Sequence, residues 1–270
     1  MKERRCNLIV RKAGSMLNFK NVLVVAAMDV EHNALTQQPQ AETVVLSERL
    51  GLTASRFRVG ETNVNIVKSG VGGVNAGVTV AFALDRLDID AVLMIGVGGA
   101  LDEKLDVGDF VVASTVVQHD ALISRTEDDG GTTLMSPGEL FLTKTDDSLA
   151  DPIISTNAEM HDAIYSAFDA LGDRVFSGLL ISGSEFVGTH ARKHELTQRH
   201  PGALLVDMEA CAVAQLCRKQ GVAFVIAKTV ADRMNPDGSV TVDYKTFLEA
   251  AAQRAGRILE ILFGESTDGA

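Results

Sequence analysis

Three acids, each close behind a run of apolar residues, are the residues best placed to do chemistry. Glu209 lies in Val206-Asp207-Met208-Glu209-Ala210, after the strand-like run Ala203-Leu204-Leu205-Val206. Asp232 stands 23 residues further on, behind Ala223-Phe224-Val225-Ile226-Ala227. Glu31 closes Ala26-Ala27-Met28-Asp29-Val30-Glu31, after the run Val22–Ala27. Carboxylates at the carboxyl ends of neighbouring strands sit where α/β sheets build their sites. A single acid after a strand is equally an N-cap or a first-turn charge that complements the helix dipole, and Asp29 is read that way. Glu31, Glu209 and Asp232 recur at three strand ends, two of them beside a methionine, Met28 and Met208. That pattern suits a site that holds hydroxyls and an apolar group together, and it points to an enzyme rather than a scaffold.

Other signals are weaker. Gly70-Val71-Gly72-Gly73 and Gly96-Val97-Gly98-Gly99 each follow an apolar run and read as tight turns. The first opens like a dinucleotide fingerprint but carries Asn75 where the third glycine belongs, and neither has the Lys-Ser/Thr of a phosphate-binding loop. They are either turns that need glycine or backbone lying close to a ligand, with Gly99 the candidate. The six histidines show no metal spacing, and there is no GxSxG elbow. Cys6, Cys211 and Cys217 form no CxxC pair and read as reduced thiols of a cytoplasmic protein, Cys211 and Cys217 buried on one helix.

The elements that must position these acids alternate along the chain. Val22–Ala27, Asn63–Ser69, Asp90–Ile95, Phe110–Ser114, Phe176–Ile181, Ala203–Val206 and Ala223–Ala227 read as strands, mostly of the buried type. Glu42–Gly60 is mixed. Val74–Leu87, Glu159–Leu171, Arg192–His200, Glu209–Gln220 and Tyr244–Phe263 have helical spacing. Residues 125–152 read as the longest loop. The expected fold is a single α/β domain with a central mixed β-sheet flanked by helices, over residues 21–270. Residues 1–20 are basic and read as a loose extension, with Met16 a possible natural start. The net charge of -11, the absence of Trp and the two Tyr argue against nucleic acid or an anionic membrane as partner. No apolar run approaches the roughly 18–20 residues of a membrane span.

Taken in order, the anchors resemble the nucleoside phosphorylase/nucleosidase superfamily. They are Ala27-Met28-Asp29-Val30-Glu31, Ser69-Gly70-Val71-Gly72, Gly96-Val97-Gly98-Gly99-Ala100-Leu101 with Val107-Gly108-Asp109, Ser182-Gly183-Ser184-Glu185-Phe186, Val206-Asp207-Met208-Glu209-Ala210 and Ala231-Asp232. Within it the chain looks most like the 5′-methylthioadenosine/S-adenosylhomocysteine nucleosidases of methionine salvage. The resemblance runs from about Asn21 to Phe263. It implies a nucleoside-phosphorylase-like fold, a small-molecule nucleoside substrate, no cofactor or metal, and a homodimer or higher homo-oligomer with the 115–150 region near its interface. It makes Asp232 the acid that protonates purine N7 and Glu31 the base that activates water. It makes Glu209 the holder of the ribose hydroxyls and Met208 the residue packed beside the sugar. Phe186 would stack on the base, Val187 would hydrogen-bond it through its backbone, and Met28 would lie near the 5′ substituent.

Residues also separate hydrolysis from phosphorolysis. Phosphorylases hold a phosphate dianion with cations and hydroxyls. Met94 and Val97 stand where such a loop usually has Arg and Ser or Thr, and Glu31 would repel phosphate. Water is the expected nucleophile. Val97, Lys228 for a common Arg, Asp207 for a Glu, and Val242 near the expected 5′ pocket depart from the nucleosidase pattern. They leave open another purine nucleoside or futalosine as substrate, a phosphorylase, or a catalytically silent nucleoside binder. A Rossmann-type dinucleotide binder is the remaining alternative, and the broken fingerprint counts against it.

Overall fold

The computed structural model describes residues 17–36, 40–126, 132–135, 153–234, 240–242 and 257–264. Its centre is the buried run at the start of the chain. β1 (Asn21–Ala26) lies between β4 (Thr62–Lys68) and β5 (Ala91–Ala100) and is parallel to both. Val22 to Ala26 have no exposed surface. Alternate residues feed opposite faces, as the two-residue strand period demands. Leu23 and Val25 join the core under α2 (Gly73–Arg86) and α5 (Ala210–Gln220). Val22 and Val24 join the core under α3 (Ala158–Ala170) and the helix over residues 257–263. Helices therefore cover both faces of an α/β sheet, the class expected from the sequence.

The sheet is mixed. β2 (Glu42–Ser47) and β3 (Leu52–Val59) extend it beyond β4 as antiparallel neighbours, so the mixed stretch 42–60 is two strands, with β2 at the sheet edge. On the other side β6 (Phe110–Gln118), β10 (Val175–Ser182), β11 (Ala203–Asp207) and β12 (Ala223–Met234) follow. β5 pairs with both β11 and β12, while β12 pairs with β6, β6 with β10 and β10 with β11. Five strands thus close into a ring with β5 as the hub. The short β9 (Ile154–Ser155) pairs with β6, and β13 (Val240–Val242) with β12. Within the expected loop 125–152, β7 (Ile123–Thr126) and β8 (Thr132–Met135) pair as a hairpin; the rest lies outside the described residues.

Three sequence expectations change here, each for a physical reason. Gly96-Val97-Gly98-Gly99 is no turn; it is the continuation of β5. A Cβ at Gly98 would fall 2.2 Å from Leu205 Cδ2 and 2.9 Å from the Val206 carbonyl, so the glycine lets β11 pack directly on β5. Gly98→Ala is accordingly expected to cost about 1–3 kcal/mol through overpacking, read as a lower midpoint in urea unfolding. Asp232, placed at a strand end, lies inside β12, which runs to Met234. The β5–β12 register shifts between Val230 and Asp232, leaving Ala231 as the extra residue of a bulge, and bulges re-aim side chains. Finally, β11 and β12 are not direct neighbours: β5 lies between the acids they carry.

Elsewhere the turns follow their residues. Gly70 and Gly72 bend the chain from β4 into α2 at φ 82° and 98°, a region that side chains resist. Gly221 ends α5 in the left-handed conformation, φ 69°. Cys211 and Cys217 are free, buried thiols on α5, and burial pushes each up to about 12. Residues 1–16, with Cys6 and Met16, lie outside the described residues. Leu17 is buried and its N–H donates to the Leu262 carbonyl at 3.3 Å. Of the expected final helix, 257–263 is described and buries Ile258, Leu262 and Phe263. Among the described residues no helix is long and apolar enough to cross a membrane.

Candidate active site

Glu31 owes its position to the start of α1 (Asp29–Leu35). Met28 is the N-cap and Glu31 the third helical residue, the spacing at which a glutamate turns back on its own helix start. Its Oε2 accepts the N–H groups of Ala27 and Met28, both at 2.9 Å. The carboxyl is 3% exposed. Burial raises its pKa above the ordinary glutamate value, helped by the nearby Glu209 charge and opposed by Lys228 and the two backbone donors. Asp29, two residues earlier, is a first-turn acid of α1, one of the two roles read for it, with Met28 taking the N-cap; it is exposed and pairs with Lys68 at 2.6 Å.

The Asp207–Glu209 segment divides its acids between two tasks. Asp207 ends β11 and accepts the Ala210 N–H at 3.2 and 3.1 Å, capping α5. That frees Glu209, the N-cap residue, from capping. Its Oε1 instead takes the Gly72 N–H at 2.9 Å from across the cleft. Lys228, 1% exposed in β12, lies 2.8 Å from Asp207 and 3.4 Å from Glu209. Burial alone would pull the lysine pKa down; the charges of Asp207, Glu209 and Glu31 outweigh it and leave the value raised. The third acid is close because Gly96 has no side chain. A Cβ there would stand 3.0 Å from Glu31 Oε1 and 3.1 Å from Lys228 Nζ. Lys228→Met would strand Asp207 and Glu209 as buried charges and is expected to cost about 3–5 kcal/mol, measurable by chemical denaturation.

Asp232, on β12, sits over Gly99, further along the hub strand β5. A Cβ at Gly99 would stand 2.9 Å from Asp232 Oδ2 and 3.2 Å from Lys193 Nζ. The Asp232 carboxylate is ion-paired with Lys193, a residue of α4 (His190–Arg199) with no exposed surface. The sequence reading made nothing of Lys193. Its signal was position: it shares the buried face of a short polar helix with Leu196, three residues on. Beside it, Val187 is buried while Phe186 is 61% exposed at the mouth. Arg192 grips the neighbouring Glu185 through Nε at 3.1 and 2.9 Å, and Asp120 takes the Ser184 N–H at 2.7 Å, which fixes this loop.

All nine residues singled out from sequence (Asp232, Glu31, Glu209, Met208, Phe186, Val187, Met28, Gly99 and Lys228) line one cleft of about 590 Å³, open to solvent. The sequence reading did not assign Val71, Glu185 and Val206 to the wall; they line it too, as do Val97 and Asp207. Gly96 and Gly99 are three residues apart in β5, roughly 10 Å of strand. An acid–lysine group therefore stands at each end of the floor: Glu31, Glu209 and Lys228 over Gly96, Asp232 and Lys193 over Gly99. Met28, Met208, Val71 and Phe186 supply apolar walls. Such a cleft can grip hydroxyls at one end, seat a flat ring at the other and place a carboxyl at each. β13 pairs Val242 with Asp232, so that strand reaches the same end of the fold.

Known proteins resemble this chain over most of its length. The family model of the phosphorylase superfamily matches residues 21–263. A 5′-methylthioadenosine/S-adenosylhomocysteine nucleosidase of Staphylococcus aureus (strain Newman) is 28% identical over 246 residues, covering 90% of this chain and 98% of the relative. The Neisseria meningitidis 5′-methylthioadenosine/S-adenosylhomocysteine nucleosidase, solved in complex with methylthio-immucillin-A, is 25% identical. It superposes with a TM-score of 0.72 over 90% of this chain and 98% of that one. A methylthioadenosine nucleosidase structure from Weissella paramesenteroides, named as putative, shares the fold with a TM-score of 0.75 at 21% identity, covering 90% and 97%.

Proposed function

The chain belongs to the phosphorylase superfamily, and within it we propose that this protein hydrolyses the N-glycosidic bond of purine nucleosides. The preferred substrates are 5′-methylthioadenosine and S-adenosylhomocysteine, and the released base is adenine. The observation that carries the choice of water over phosphate is the seat of Glu31. The backbone N–H groups of Ala27 and Met28, which could have gripped an anion, are already occupied by the Glu31 carboxylate. A phosphate dianion at this end of the cleft would meet Glu31, Glu209 and Asp207, with Lys228 the cation that offsets them among the described residues. Water meets a base.

The chemistry then follows from position. Adenine is a poor leaving group until N7 is protonated, and Asp232 at the base end supplies that proton. As the C1′–N9 bond stretches, positive charge grows on the ribose; Glu209 holds the 2′- and 3′-hydroxyls and stabilises it. Glu31 orients a water towards C1′ and takes its proton. Two carboxyls flanking the breaking bond, one giving a proton and one taking it, follow the general logic of glycoside hydrolysis. Met28 and Met208 pack against the sugar and its 5′ substituent, Phe186 stacks on the base and Val187 meets it through the backbone. Lys228 holds the sugar-side acids.

A panel of purine nucleosides, futalosine included, tests the assignment by release of free base with and without phosphate. Adenine released from 5′-methylthioadenosine at a rate indifferent to phosphate is the expected result. A rate that requires phosphate, or binding without turnover across the panel, would sink it. We further propose that the enzyme works in the cytoplasm as a homodimer or higher oligomer. Val71, Val74 and Val78, exposed at the start of α2 beside the cleft, support this. Sedimentation velocity is expected to show no monomer at micromolar concentration.

A further inference from the structure

Lys193 is a buried lysine for which the chemistry above has no task. An ammonium is expensive to remove from water, and a hydrocarbon side chain would fill the same space at no such cost. It lies in the first turn of α4, has no exposed surface, and donates to the Ala100 carbonyl at 3.1 Å and to the Asp232 carboxylate. Gly99 makes the room for this pair, because a Cβ there would meet both partners. Lys193 is not part of the cleft wall that Asp232 lines, and so stands behind the acid.

We propose that Lys193 is a positioning residue for protonation of the departing base: its ammonium holds Asp232 over Gly99 and stabilises the carboxylate left when the proton moves to the purine. The proposal rests on Asp232 being the base's proton donor. In the step, the Asp232 O–H bond breaks and the N7–H bond forms. The C1′–N9 electron pair leaves with the base, and Lys193 keeps its three protons. The ammonium offsets the negative charge that appears on Asp232 as its proton leaves.

Other charged groups near the pair are engaged elsewhere. Glu185, across the loop, and Glu195, on α4, are gripped by Arg192. Arg233, next to Asp232 in β12, pairs with Asp106. Lys228, Asp207 and Glu209 bond among themselves at the sugar end. His119 and His200 are buried, and burial is the chief cause holding each below its ordinary value. Among the described residues, Lys193 is the cation bonded to Asp232.

The test is the pH profile of kcat and kcat/KM for adenine release in Lys193→Met, Lys193→Gln and Lys193→Arg, with Asp232→Asn alongside. Removing the charge is expected to displace the alkaline limb of the profile. The maximum of the kcat profile is expected to fall about 3- to 30-fold, with KM changed less than threefold. Lys193→Arg, which keeps the charge, is expected to retain the wild-type limb. Lys193→Gln keeps a donor for Ala100 and Asp232 and is the neutral variant best able to fold, as thermal melts will show. A purely structural lysine would lower the melting temperature and leave both the alkaline limb and the maximum of kcat in place. That outcome, or a displaced limb in Lys193→Arg, overturns the proposal. If Asp232→Asn itself turns over normally, the assignment of Asp232 has failed instead; if it is inert while the neutral Lys193 variants keep the wild-type profile, only the role of Lys193 has.

Discussion

Asp232→Asn is expected to lower kcat for base release by about 10²- to 10⁴-fold, the usual worth of a positioned general acid. Nucleoside binding should change little. The amide has the shape of the carboxyl and can still donate a hydrogen bond to N7, but it has no proton to give. The reaction must then expel an unprotonated purine. The substitution carries a second signature, because Lys193 is fully buried against this carboxylate. Removing the charge leaves a buried ammonium unpaired, a situation that costs about 3–5 kcal/mol. The variant should therefore be nearly inactive and less stable together. Adenine release followed by chromatography, calorimetric titration with 5′-methylthioadenosine and a thermal melt read the three quantities separately. Retention of more than a tenth of wild-type kcat would remove Asp232 from the mechanism.

The site was legible in sequence because its acids follow apolar runs, and such runs are what a parallel sheet requires of its strands. Glu31, Glu209 and Asp232 could be found without knowing which strands pair. What could not be read was the pairing itself. Gly96-Val97-Gly98-Gly99 looks like a turn because glycine is most often spent on turns. Its actual reason is the Leu205 side chain, more than a hundred residues away, which occupies the space of a Gly98 side chain. The length of β12 was hidden for a similar cause. Lys228, Thr229, Asp232 and Arg233 break the apolar run after Ala227, yet the backbone continues because β5 and β6 flank it. Lys193 was invisible as a site residue because a lysine in a polar helix reads as solvated; only the partner Asp232, from another element, explains its burial. Local pattern gave the groups, and long-range packing decided how they act.

Glu31→Gln separates catalysis from stability in the opposite sense. With no carboxylate to take a proton from water, kcat should fall about 10²- to 10⁴-fold. The amide oxygen can still accept the Ala27 and Met28 N–H groups, so α1 keeps its start. The fold, however, should gain. Burial raises the Glu31 pKa above its ordinary value, so the folded protein prefers the neutral acid more than the unfolded chain does. Ionising this group therefore favours unfolding. That penalty begins as pH rises through the unfolded value of about 4.3 and is complete above the higher folded value. At neutral pH, above the unfolded value, the wild type carries this penalty and the glutamine variant carries none. The variant should melt at a higher temperature than wild type at pH 7, and the gap should close on acidification below the unfolded value. The same shift places the acid limb of wild-type activity above the ordinary glutamate range, because the base is lost as pH falls through the raised value. A Glu31→Gln protein that keeps its turnover would dismiss Glu31 as the base. One that loses turnover but melts no higher at pH 7 would show that Lys228 and the backbone donors, not burial, govern this carboxyl.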